Sequence, residues 1–255
     1  DGRIIFAIPY ERDFTLIGTT DVDHEGDAGA AACSNAERDY LIAAASSFFR
    51  SGISRDDIVT TFSGVRPLYD DGASFASAAT RDYVLTCEDE GGAAALVNVF
   101  GGKITTYRRL AEHVMDRLHP YFPALGKSWS GGEPLPGGDF DIGHRHELVL
   151  RLQRSFEFLT AEWATRLVTA YGTDAFMILE GAVSREDLGQ HFGGTLHARE
   201  VDWLVTREWA TSADDILWRR SKLGLVLTAA EASALDSHLG GTRKASAGDN
   251  VVVAE

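Results

Sequence analysis

Three cations stand at the ends of β-rich runs in the first half of the chain. Arg66 lies in "FSGVRPL", after an apolar run and before a proline that forces an extended exit. Arg81 lies in "AATRDYVL", at the entry to the next run, and Lys103 follows two glycines in "NVFGGKITTYRRLAEHVM". A guanidinium grips phosphate or carboxylate with two N–H groups, and an ammonium adds a point charge. The three could therefore converge on one small anion. The competing reading is local pairing, Arg66 with Asp70 and Arg81 with Asp82, because surface ion pairs are common. Gly101 and Gly102 also allow two readings. Either they make a tight strand-to-helix turn, or they let a planar ring lie on the backbone while the first N–H groups of the helix face its electron-rich edge. Pattern alone leaves both open.

The motifs that are missing narrow the chemistry. The chain has no G-x-G-x-x-G, no G-x-x-x-x-G-K-[ST], no H-E-x-x-H and no G-x-S-x-G. A nucleotide site built on a glycine fingerprint is therefore incomplete in it. His144 and His146 have no Cys or carboxylate cluster beside them and read as surface histidines, so no metal site is expected. The net charge of −14 argues against a nucleic-acid partner, whose phosphates need clustered Lys and Arg. A local basic pocket remains compatible with it. Cys33 and Cys87 lie far apart and read as reduced thiols of a cytoplasmic protein. No stretch approaches the roughly 20 apolar residues of a membrane span. The 255 residues carry 44% hydrophobic residues, enough to bury a real core. They open without Met on "DGRIIFAIPY", already strand-like, so a fragment of a longer protein is expected.

The elements that must position these residues follow from periodicity. "RIIFAIP" and "FTLIGTT" flank a polar turn and predict a hairpin. "CSNAERDYLIAAASSFFRSG" predicts a helix, with Ser34 and Glu37 at capping-box spacing and Gly52 placed to end it. "DIVTTFSGVRPL", "DYVLTC" and "AALVNVF" predict three strands, and Tyr107, Leu110, Ala111, Val114, Met115 and Leu118 make the apolar stripe of a second helix. "GKSWSGGEPLPGG" is a linker by composition. Beyond it come successive helical patterns with Thr228 and Glu231 as another capping box. There, Asp214, Asp215, Arg219 and Arg220 read as surface ion pairs, and four tryptophans read as core. The fold class expected is α+β, a partial β-sheet with helices followed by a small all-helical domain. The boundaries are 1–125, a linker at 126–137, helices at 138–240 and a flexible tail at 241–255.

Read in order, "IGTTDVDHEGD", "SGVRPL", "ATRDYVLTCEDE", "VFGGKITTYRRLAEHVMDRL", "DLGQHFGGTLHAREVDWLV" and "EWATSADDILWRRSKLGL" closely resemble the C-terminal half of the FAD-dependent aerobic glycerol-3-phosphate dehydrogenases. The resemblance runs from residue 3 to about 239. It implies oxidation of sn-glycerol 3-phosphate to dihydroxyacetone phosphate, with hydride passing from C2 to FAD and electrons then passing to quinone. O2 is the alternative acceptor. It also implies that residues 1–125 are the later part of a substrate domain with a segment returning to the flavin domain. By motif, Arg66, Arg81 and Lys103 look like substrate-binding residues, with Arg66 and Lys103 closest to catalysis. Gly101, Gly102, Lys103, Ile104 and Thr105 look like flavin contacts. The FAD site is incomplete here, since the family's dinucleotide fingerprint precedes this stretch, so the chain alone is expected to hold FAD weakly or not at all. As an isolated fragment it would serve as a non-enzymatic helical interaction module. Quinone chemistry implies peripheral contact with the inner face of the cell membrane, although no basic amphipathic helix is present. No general base is identifiable.

Overall fold

The computed structural model describes residues 3–66, 69, 82–89 and 94–248. They divide into two units, Asp1–Glu133 and Pro134–Glu255.

In the first unit, β1 (Phe6–Tyr10) and β2 (Phe14–Gly18) pair antiparallel, with Phe6 opposite Gly18 and Tyr10 opposite Phe14. Glu11 and Arg12 make the turn at φ 42° and 71°, the left-handed twist that matches two paired strands. Helix α1 (Asn35–Ser46) starts on the predicted capping box, in which Ser34 Oγ accepts the Glu37 amide at 3.2 Å and Glu37 Oε2 accepts the Ser34 amide at 2.8 Å. It stops at Ser46, well before Gly52. The hydroxyl of Ser47 donates to the Ala44 carbonyl at 2.6 Å, and Ser46 Oγ accepts the Ile53 amide at 2.9 Å. Serine side chains thus close the helix end, and no glycine is needed there. Phe48, within the run predicted as helix, lies past the end and is 90% exposed.

Residues 58–66, expected as a strand, have no ladder partner among the described residues. A β-branched run becomes a strand only where a neighbouring backbone edge accepts it. The two following strands do form. β3 (Tyr83–Glu88) and β4 (Leu96–Gly101) pair antiparallel, with Tyr83 opposite Gly101. A 3-10 turn over Ile104–Thr106 then leads into α2 (Tyr107–Leu118), in whose apolar stripe Leu110, Val114 and Leu118 are partly buried and none is fully buried. Glu112 on α2 accepts from Arg108, Ser128 and Ser130, which staples the glycine- and serine-rich segment to the helix. Among the described residues of this unit, Ala45 is the sole buried hydrophobic side chain.

The second unit holds the core. Helix α3 (Arg145–Ser155) packs on α4 (Ala161–Tyr171), followed by a single turn, α5 (Ala175–Ile178). The hydroxyl of Thr160 caps α4 by accepting the Trp163 amide at 3.2 Å. Trp163, Ala164, Leu167, Val168 and Tyr171 then recur at helical spacing and are all buried. The unit is not all-helical. β5 (His191–Gly193) and β6 (Leu196–His197) form a short hairpin ahead of α6 (Ala198–Glu208). Its buried Phe192 and Leu196 serve the same core as the helices. Gly193 and Gly194, at φ 119° and 55°, turn it in conformations closed to most side chains.

Asp215–Arg220 is a π-helix, and the final helix, α7 (Ala229–Gly248), opens on the Thr228–Glu231 capping box. Residues 241–248, expected as a tail, continue α7, because a run rich in Ala, Lys and Arg favours helix after Gly240–Gly241. Residues 249–255 lie outside the described part. Arg219 and Arg220 do pair with Asp215, at 3.0 and 3.7 Å. The reading of the tryptophans as core holds for Trp163 but not for Trp209, which caps α6 in the left-handed region and is 83% exposed.

One charged group is buried in this core. Arg166 donates to both carboxylate oxygens of Glu200 at 2.7 Å and to Thr195 Oγ1 at 2.7 Å, and the Tyr171 hydroxyl donates to Glu200 Oε1 at 2.7 Å. Burial and the adjoining carboxylate raise the Tyr171 phenol well above its ordinary value, so it stays a donor.

Backbone meets backbone where the unit begins. The Gly137 carbonyl accepts the Thr173 amide at 2.9 Å, and a Cβ on Gly172 would lie 1.9 Å from that same oxygen. Gly172 also sits at φ 55° with ψ −127°. Gly172→Ala is therefore expected to lower stability by at least ~2 kcal/mol, since backbone strain alone costs about 1–3 kcal/mol and no flexible atom can yield. Urea unfolding followed by tryptophan fluorescence checks this, and a loss below about 0.5 kcal/mol, the range of a neutral surface change, would contradict it.

Candidate functional site

Arg66 rides at the end of the extended segment 58–66, and its guanidinium pairs with Asp21 in the loop after β2. The local partner read from the sequence, Asp70, lies outside the described residues. So does Arg81, and its expected place in the pocket with it. The loop carrying Asp21 is itself fixed, because the Thr20 hydroxyl donates to Glu37 Oε1 at 2.6 Å, the oxygen left over by the capping box. That hydroxyl, followed by the Ser34 groups, holds the Glu37 carboxyl below its usual range.

Three residues past Arg66 the chain reaches β4. The Tyr69 ring packs 5.6 Å from that of Phe100, next to Gly101. This contact places Tyr69 beside the strand end from which Gly101–Gly102–Lys103 departs. Gly101 and Gly102 take φ 67° and 94°, values that L side chains rarely adopt. A Cβ on Gly102 would meet Tyr83 Cβ at 3.1 Å, and Tyr83 is held in turn by its hydroxyl 2.5 Å from His113 Nδ1. Close packing on Tyr83 therefore accounts for Gly102 within the fold.

The rest of the turn faces outward. Lys103 is exposed, and its side chain has no ion pair or hydrogen bond among the described residues. Its carbonyl accepts the Thr106 amide at 2.9 Å and the Thr106 hydroxyl at 2.8 Å, which closes the first 3-10 turn. Ile104 is 89% exposed and Thr105 is exposed too, with the N–H groups that open the turn directed out of the hydrogen-bonded part. A glycine turn, open backbone donors and one exposed ammonium at a strand end can receive an electron-rich planar group or a small anion. Residues 1–108 match the family described as FAD dependent oxidoreductase, and residues 130–239 match the C-terminal domain of alpha-glycerophosphate oxidase.

The first part of the chain is thus similar to the FAD-dependent oxidoreductases.

Its likeness to the aerobic glycerol-3-phosphate dehydrogenases is close over most of its length. It is 44% identical to the aerobic glycerol-3-phosphate dehydrogenase of Escherichia coli, over 94% of this chain and 48% of that protein. It is 45% identical to the glycerol-3-phosphate dehydrogenase of Pseudomonas aeruginosa, over 94% of this chain and 46% of that protein. The D-erythritol 1-phosphate dehydrogenase of Brucella abortus is 46% identical, over 92% of this chain and 46% of its own length. The chain thus spans about half the length of the curated relatives it matches. The resemblance read from the motifs is borne out at this level.

Among the described residues no group of three or more His, Cys, Asp and Glu gathers as a metal site, and no helix is long and apolar enough to cross a membrane. His144 is an exposed residue 3.4 Å from Asp141. The residue missed in the sequence is Asp21. It sits in the acidic run "TTDVDHEGD", where nothing in the pattern separates it from Asp23, Glu25 or Asp27.

Proposed function

We propose that this chain is the C-terminal part of an enzyme that oxidises sn-glycerol 3-phosphate to dihydroxyacetone phosphate and passes the electrons to quinone. The observation that carries it is the open Gly101–Thr105 turn with the exposed Lys103, beside which Tyr69 packs on Phe100. The names of the relatives support the substrate class. Among the described residues of the first unit few side chains are buried, which supports a role as part of a larger body, because a domain must bury far more apolar surface to stand alone.

Oxidation at C2 removes a hydride from carbon and a proton from its hydroxyl and leaves a carbonyl; bound FAD supplies the hydride acceptor. The residues present fit the ring side of that cofactor. Gly101 and Gly102 turn the chain, and the N–H groups of Ile104 and Thr105 and the Lys103 ammonium would hold the ring by supplying positive potential beside it. Arg66 binds the phosphate or the C2 oxygen as negative charge grows there, and Lys103 adds a second cation. Arg81 joins them as a further substrate contact. The complete protein would sit in the cytoplasm, with peripheral contact at the inner face of the cell membrane.

Two printed names favour other readings. The C-terminal family is described by an oxidase, which favours O2 as acceptor, and one close relative is named for D-erythritol 1-phosphate. The complete enzyme should reduce a quinone analogue anaerobically with glycerol 3-phosphate and show at least ~10-fold lower kcat/KM with D-erythritol 1-phosphate, a difference of about 1.4 kcal/mol. Oxygen uptake matching the anaerobic quinone rate would replace the acceptor. A reversed preference would replace the substrate.

A further inference from the structure

We propose that Asp21 is the positioning residue for Arg66, a role that rests on the reading of Arg66 as a substrate-binding residue. Asp21 Oδ2 takes one terminal nitrogen of the guanidinium, Nη2. That contact uses one of the five N–H donors; the other four, including the second on Nη2, make no hydrogen bond among the described residues and are left for a bound anion. A guanidinium on an extended segment without a ladder partner has many rotamers, and ordering it for a phosphate costs free energy at each binding event. An acid that fixes the plane beforehand removes that cost.

The acid must itself be fixed, and the structure shows how. Glu37 divides its two oxygens. Oε2 closes the α1 capping box on Ser34, while Oε1 accepts the Thr20 hydroxyl at 2.6 Å. Thr20 is the residue next to Asp21, so the start of α1 sets the loop, the loop sets the acid, and the acid sets the guanidinium. The pair is about half-exposed, 48% for Arg66 and 46% for Asp21. An exposed pair of this kind adds little to folding stability, which leaves orientation as its use.

The experiment takes the complete, FAD-loaded enzyme and compares Asp21→Ala, Asp21→Glu, Arg66→Ala and the Asp21/Arg66 double alanine variant. Asp21→Ala is expected to raise KM for glycerol 3-phosphate about tenfold with kcat within about threefold, while Asp21→Glu restores part of the loss. The double variant is expected to be no worse than Arg66→Ala alone, the signature of two residues acting as one. Flavin content and Tm should be unchanged throughout. Multiplying losses in the double variant, or a normal KM for Asp21→Ala beside a damaged Arg66→Ala, would overturn the positioning role. Normal kinetics for Arg66→Ala would remove Arg66 from the site and the proposal with it.

Discussion

Replacing Glu200 with alanine is expected to destabilise the helical unit by about 3–5 kcal/mol, the range for breaking a buried ion pair from one side. Glu200 is 4% exposed and accepts three hydrogen bonds, two from Arg166 and one from Tyr171. Its removal strands a guanidinium that keeps only its contacts to Thr195, together with a phenol that has no other acceptor in the network. The desolvation already incurred by both then goes uncompensated. Urea unfolding of the chain reads this directly, since Trp163, Trp203, Trp209 and Trp218 all belong to this unit. A second variant keeps the test honest to mechanism. Arg166→Met combined with Glu200→Leu and Tyr171→Phe removes both charges and the phenol hydroxyl, and it should recover most of the loss, because matched apolar side chains leave no buried orphan. A drop below about 1 kcal/mol for Glu200→Ala would mean that water or another donor satisfies Arg166.

The second large effect falls on turnover. In the complete enzyme, Arg66→Ala should lower kcat/KM for glycerol 3-phosphate by at least ~100-fold, about 2.7 kcal/mol, as expected when a charge-assisted bidentate contact is lost. Arg66→Lys should restore little of it, since an ammonium cannot hold Asp21 and two phosphate oxygens in one plane. Folding should hardly change, because the pair is half-exposed. Stopped-flow flavin reduction at saturating substrate separates binding from chemistry. A loss confined to KM places Arg66 on the phosphate, and a slower reduction step places it on the C2 oxygen. Unchanged kinetics would exclude both.

Much of the architecture was legible because its signals are local. Ser34 with Glu37 and Thr228 with Glu231 announce helix starts through contacts three residues apart. "DYVLTC" and "AALVNVF" supply both edges of their own ladder, so β3 and β4 form as the pattern predicts. Failures came where the deciding partner was distant or backbone-specific. Residues 58–66 have strand composition but no paired edge among the described residues. α1 ends early on serine hydroxyls, which a search for glycine does not see. Of the candidate site, the Gly101–Lys103 turn was visible as a motif. The hold on Arg66 was not, since Asp21 lies 45 residues away among several equivalent acids. Arg166, Tyr171 and Glu200 also meet across 29 and 34 residues and carry no spacing signature.

The Gly137 carbonyl, locked onto the Thr173 amide, has a practical consequence for anyone recombining flavoproteins. A chimera that grafts this helical module onto another oxidoreductase has to place its junction upstream of Pro134. A splice only a few residues later discards the acceptor at the end of α4 and leaves Gly172 with a strained backbone and nothing to lock against. The seam between the modules is thus set by one peptide carbonyl rather than by the flexible-looking glycines around it.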